Sequence, residues 1–206
     1  MDMKTQSLPE IRIKYAWLLA ENTSTALMDY YDKGGKLRGF EEYEAIAAQY
    51  AEWWLPYEKN ILTAMQEATG LTFKQNVINV YVAPFFYAFS EPLVLGVQFD
   101  SREKLVCNLT HELIHRLLMD NTTHDDSRTY DEWTSLFGER SPTELVHIPV
   151  HAIMHEIFID KIGEPEFLTQ EVLDEGDYRA SWQYVQQHTY MKITKDLRNL
   201  YAGGAI

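Results

Sequence analysis

The stretch from Leu105 to Met119, LVCNLTHELIHRLLM, decides how this chain is read. Leu105, Leu109, Leu113 and Leu117 recur at every fourth residue, the spacing that lines one side of an α-helix. Just ahead, Asp100 with Glu103 three residues on predicts a capped helix start. His111, Glu112 and His115 therefore fall inside a helix, with both imidazoles on one side and about one turn apart. Two such nitrogens can reach a single metal ion, and the glutamate after the first stands beside the ion's open position.

Outward from this helix the pattern alternates between strand and helix signals. The alternation of Ile11, Ile13, Tyr15 and Trp17 predicts a first strand, and Asn22 or Ser24 is placed to cap a helix running towards Tyr31. Between Glu41 and Ala68, Tyr43, Ile46, Ala47, Tyr50, Trp53 and Trp54 keep helical spacing, which predicts one long helix kinked at Pro56 and ended by Gly70. The β-branched run Val77 to Val82 and the later Leu93 to Phe99 read as strands. After a polar stretch from Asp120 to Gly138, Ser141-Pro142-Thr143-Glu144 opens a helix expected to reach Ile162, where Gly163 and Pro165 stop it. A C-terminal helix is expected at about 178–201. These elements amount to one α+β domain over 1–206, mostly helical, with a small mixed sheet packed on the long helix and the motif helix.

Composition narrows the function classes. With 31 Asp+Glu against 18 Lys+Arg, the formal charge of -13 repels phosphate backbones and anionic membrane surfaces, so neither nucleic acid nor membrane is an expected partner. Apolar residues at 46% and aromatics at 13% suffice for a packed core. Cys107 is the single cysteine, which excludes an intrachain disulfide and a cysteine-based metal cluster. Its place one turn before His111 reads as a small buried hydrophobe. The polar first ten residues lack a basic and apolar leader pattern, and the expectation is a cytoplasmic protein.

The chemistry of the motif is hydrolytic. A divalent cation held by His111 and His115 would acidify a water and polarise a carbonyl, and Glu112 would take the proton of that water and later deliver it to the leaving group. At His111, Glu112 and His115 the chain resembles the zincin superfamily of metallopeptidases, small single-domain gluzincin-like members above all, over approximately residues 70–162. The resemblance implies a zincin-like fold, a third metal ligand on the following helix and a peptide or protein substrate lying along an edge strand. Arg116 departs from it, since an uncharged residue usually follows the second histidine there.

For the third ligand the residues allow several readings. Glu144, His147, His151 and His155 share one stripe within about 80° of arc on the helix from Pro142. His151 is the favoured ligand because it lies at the centre of that stripe, with His147 as a catalytic residue that steadies the oxyanion or orients a ligand, or as the third ligand in place of His151 where the kink at Pro149 turns it inward. Glu156, with Asp160 four residues on, matches the gluzincin pattern instead, but lies about 140° from His151 around the same helix, so both cannot face one ion. His155 reads as part of a solvated face. Pro149 is expected to kink this helix near Leu145. Asp120 and Asp160 are candidates to hold a ligand histidine, and Tyr130, Tyr178 and Tyr184 are candidate oxyanion donors. Three neutral nitrogens and a water suit Zn2+. The expected function is thus a zinc metallopeptidase using Glu112; a catalytically inactive zincin-like binding or regulatory module is the alternative, and metal-assisted hydrolysis of a non-peptide amide is a third.

Overall fold

The computed structural model describes residues 8–21, 38–122, 126–171 and 176–202. Strand β1 (Glu10–Tyr15) leads into a short helix α1 (Trp17–Glu21). The cap expected at Asn22 or Ser24 lies outside the described residues. Helices α2 (Phe40–Trp54) and α3 (Glu58–Thr69) follow. The single kinked helix expected there is two, because the chain leaves helical bonding around Pro56, which has no N–H to give. Gly70 then closes α3 at φ 73°, a left-handed conformation that glycine adopts without strain.

Strands β2 (Val77–Val82), β3 (Phe89–Ser90) and β4 (Leu93–Leu95) complete a mixed four-stranded sheet in the order β1-β2-β4-β3. β1 and β4 flank β2 in parallel, while β3 runs antiparallel to β4 and forms an edge. The strand expected to reach Phe99 stops at Leu95. A side chain at Gly96 would run into the Phe86 carbonyl and the Gln98 amide, so the backbone turns there through a space that only glycine fits.

Helix α4 (Arg102–Asn121) carries the motif. Its N-cap is Ser101, whose hydroxyl accepts from the Lys104 N–H at 3.2 Å, and not Asp100, which pairs with the Lys104 ammonium at 2.7 Å. Leu105, Leu109, Leu113, Ile114 and Leu117 are fully buried against α2, α6 and the sheet edge, each contributing roughly 1.5–3 kcal/mol by leaving water. The polar stretch after Asn121 contains a helix that spacing alone did not reveal, α5 (Asp126–Phe137), seated through Trp133 and Phe137.

Helix α6 (Pro142–His155) begins at the capping box expected at Ser141 and Glu144. Beyond His155 the expected continuation is a wider π-helical turn, Glu156–Ile162, closed by Gly163 at φ 77°. A 3₁₀ segment, Pro165–Gln170, then returns the chain to α4. The C-terminal helix read as continuous is also two, α7 (Asp177–His188) and α8 (Tyr190–Ala202), separated by Thr189 at φ 63°. Both pack on α6, which is consequently buried from Leu145 to His155 apart from Val146. The fold is α+β and mostly helical. Among the described residues no helix is long and apolar enough to cross a membrane.

Candidate metal centre

α4 and α6 cross so that their histidines meet. His111 and His115 stand one turn apart, and their Nε2 atoms lie 3.0 Å from each other. His147 of α6 joins them: each of the three offers a ligand atom, and these atoms all lie within 4.8 Å of one another. The Nδ1–H of His147 donates to the Thr143 carbonyl at 2.7 Å, which leaves its Nε2 as a bare lone pair. That nitrogen is buried and has no hydrogen-bond partner in the structure. An orphaned buried acceptor at the meeting point of two other imidazoles fits a metal-ligand set.

A second group shares His111. Glu171, just past the 3₁₀ segment, places Oε1 2.8 Å from His111 Nδ1 and 3.5 Å from His151 Nε2. Its other oxygen accepts from the Cys107 thiol at 3.6 Å. His151 is held from behind: Ser181 Oγ lies 3.2 Å from its Nδ1 and donates its own proton to the Tyr178 carbonyl at 2.8 Å. With that proton committed, the serine oxygen accepts from His151 Nδ1–H, so the lone pair of His151 is on Nε2, towards Glu171.

Burial and mutual repulsion keep most of these imidazoles neutral. Burial drives His147 down to about 4, aided by His111, and pushes His115 well below the ordinary histidine range. His151 is lowered as well, again chiefly by burial. His111 goes the other way, because the Glu171 charge outweighs its burial; His111 in turn holds Glu171 well below the usual carboxylate range in spite of its burial. Glu112 is pushed up to about 7 by burial, against the pull of His111 and with a further push from Glu171. Neutral imidazoles are what a metal ion needs, and a carboxyl near 7 suits a group that both takes and returns a proton.

The centre meets a cleft of about 640 Å³ through His111 and Glu171, which line it together with Tyr87, Lys104, Glu112 and Tyr178 among others. The edge strand β3 packs beside α4. Neither the protein-family models, nor the curated proteins, nor the solved structures returned a match.

His111, Glu112, His115, His147 and His151 all come together. His147, expected on the oxyanion, groups with His111 and His115, whereas His151, expected as third ligand, groups with His111 and Glu171. Glu156 belongs to neither group; it accepts from Arg198 at 3.1 Å. His155 is buried and not solvated: its ring packs on Trp182 and Tyr190, and its Nδ1–H donates to the His151 carbonyl. Asp120 pairs with Arg116 and Asp160 accepts from Tyr190, so neither holds a ligand histidine. Arg116 is drawn to Asp120 and Glu91 and is turned neither to the metal centre nor freely to solvent. Of the three tyrosines, Tyr178 reaches the centre, its ring 4.0 Å from that of His147, while Tyr184 stacks on His188 and Tyr130 packs near Trp133. Glu171 is the residue that spacing missed. It is brought in by a chain reversal after Gly163, and the only sequence signal for it is that Gly163 and Pro165 end a helix and return an acidic segment towards the motif.

Proposed function

We propose that the chain is a zinc-dependent hydrolase of peptides or proteins, with His111, His115 and His147 as the zinc ligands and Glu112 as general base. The observation that carries this reading is the convergence of those three imidazoles, one of which, His111, lines the same cleft as Glu112. Neutral nitrogen donors favour zinc over hard cations such as calcium or magnesium. Three protein ligands with an open fourth position are the pattern of a catalytic site, since structural sites close all four.

Bound zinc supplies a Lewis acid and a more acidic water. The remaining work belongs to the chain. Glu112, with its carboxyl near 7 before metal binds, accepts a proton from the attacking water and hands it to the leaving amine. Tyr178, against His147 and open to the cleft, is placed to donate its hydroxyl to the carbonyl oxygen as charge builds there. Thr143 holds the His147 ring by its Nδ1–H and so fixes the tautomer that faces the ion. The mixed sheet with antiparallel edge strand β3 against the motif helix supports the resemblance to zincins, in which a substrate strand lies along such an edge.

The test is cleavage of a mixed peptide library read by mass spectrometry, for the native chain and for Glu112→Gln. The native chain should cut internal bonds, and the variant should be slower by about 10²-fold or more while keeping its zinc. Equal cleavage by both would remove Glu112 from the reaction. No cleavage by either, with zinc retained, would replace the hydrolase by a zinc-containing binding module.

A further inference from the structure

We propose that the centre accepts a second divalent cation, held by His111 Nδ1, His151 Nε2 and Glu171 Oε1, so that the imidazole of His111 bridges two ions. The inference rests on the zinc site proposed above and extends it. His111 has one nitrogen in each group: Nε2 lies 3.0 Å from His115 Nε2, and Nδ1 lies 2.8 Å from Glu171 Oε1. The latter is an ion-pair contact in which His111 Nδ1 is not aligned on the carboxylate as a hydrogen-bond donor. His151 Nε2 is fully buried and likewise lacks a partner.

The contradiction these atoms pose is chemical. Ser181 fixes the proton of His151 on Nδ1, so Nε2 directs a lone pair towards a carboxylate oxygen 3.5 Å away. Two buried acceptors facing each other at that distance repel. A cation between them resolves the conflict. Two imidazole nitrogens and one carboxylate oxygen are a donor set for a borderline divalent ion such as zinc. The second carboxylate oxygen is already occupied by the Cys107 thiol, which orients Oε1 towards the two rings. On binding, His111 gives up its remaining ring proton to solvent, so one proton is released as the second ion enters the shared imidazole.

The test is titration of the chelator-stripped full chain with Zn2+, with bound metal counted by elemental analysis after gel filtration. The native chain should take up two equivalents. Glu171→Gln and His151→Gln, which keep size and hydrogen bonding, should each take up one and lose the second. One equivalent in the native chain, retained in both variants, would overturn the second site and leave the proposed zinc site standing. One equivalent that disappears in both variants would also overturn it, and would move the single ion to the Glu171 side. No uptake at all would end both proposals. Should the variants fail to fold, the native chain loaded with Cu2+ decides: two copper ions sharing an imidazolate couple magnetically, so the paramagnetic resonance signal per copper should drop on the second equivalent. An undiminished signal would contradict the bridge.

Discussion

Glu156 shows how one side chain separates two readings of the same helix. Its carboxylate takes Arg198, which also donates to the Ala68 carbonyl at 2.7 Å, so the three groups tie α8 to α3 and to the π-helical turn. Glu156→Ala should therefore cost about 1 kcal/mol of stability, the discount reflecting a partly exposed partner, and leave zinc affinity unchanged. Chemical denaturation beside a chelator competition on this variant checks both halves, and a loss of zinc would restore the gluzincin-like ligand. At this scale the sequence was legible wherever a contact is local. His111 and His115 are four residues apart, and any helix brings them together. Glu171 meets His111 across a loop and a chain reversal, and no periodicity encodes that meeting. The partners of Arg116 escaped for the same reason, because Glu91 comes from the hairpin between β3 and β4.

Among the elements, α6, like α4, carries two of the five clustered groups. Ser141 anchors it twice: the hydroxyl accepts from the Glu144 N–H at 3.2 Å and donates to Asp177 Oδ2 at 2.7 Å, which links the cap of α6 to the start of α7. Ser141→Ala should lower the thermal midpoint through a loss of about 0.5–2 kcal/mol, with Ser141→Thr restoring most of it. An unchanged melting curve would show that the cap contributes nothing to α6. The capping box was readable because Ser, Pro and Glu stand at fixed offsets. What the same helix does after His155 was not readable: the sequence keeps a helical pattern, and the wider turn follows from how α3 and α8 pack around Glu156 and Phe158. Similarly, the break at Thr189 carries neither glycine nor proline, so the two C-terminal helices read as one.

For the whole molecule the buried histidines set a pH dependence. His115, His147, His151 and His155 are all lowered, chiefly by burial, so below the ordinary histidine value of 6.5 the unfolded chain binds protons that the folded chain refuses. Each contributes a loss of up to roughly 1.4 kcal/mol per pH unit as pH falls through that window. Glu112, between its raised value of about 7 and the ordinary 4.5, and the raised His111 act in the opposite sense, but they are two groups against four. The metal-free chain should thus be distinctly less stable at pH 5 than at pH 7.5, by urea denaturation in the presence of a chelator. Equal midpoints would mean that these rings are more solvated than the fold implies. Mixed α+β architecture and a small sheet were legible from patterning; the order β1-β2-β4-β3 was not, since parallel pairing brings together strands far apart in the chain.

The central claim is that His111, His115 and His147 hold zinc, and the most direct measurement is zinc affinity by competition with a chromophoric chelator. The account predicts tight binding by the native chain. In His115→Ala and in His147→Ala the binding should weaken by more than the roughly 10–100-fold that loss of an outer partner costs. Native affinity retained in His147→Ala, or no zinc binding by the native chain, would contradict it.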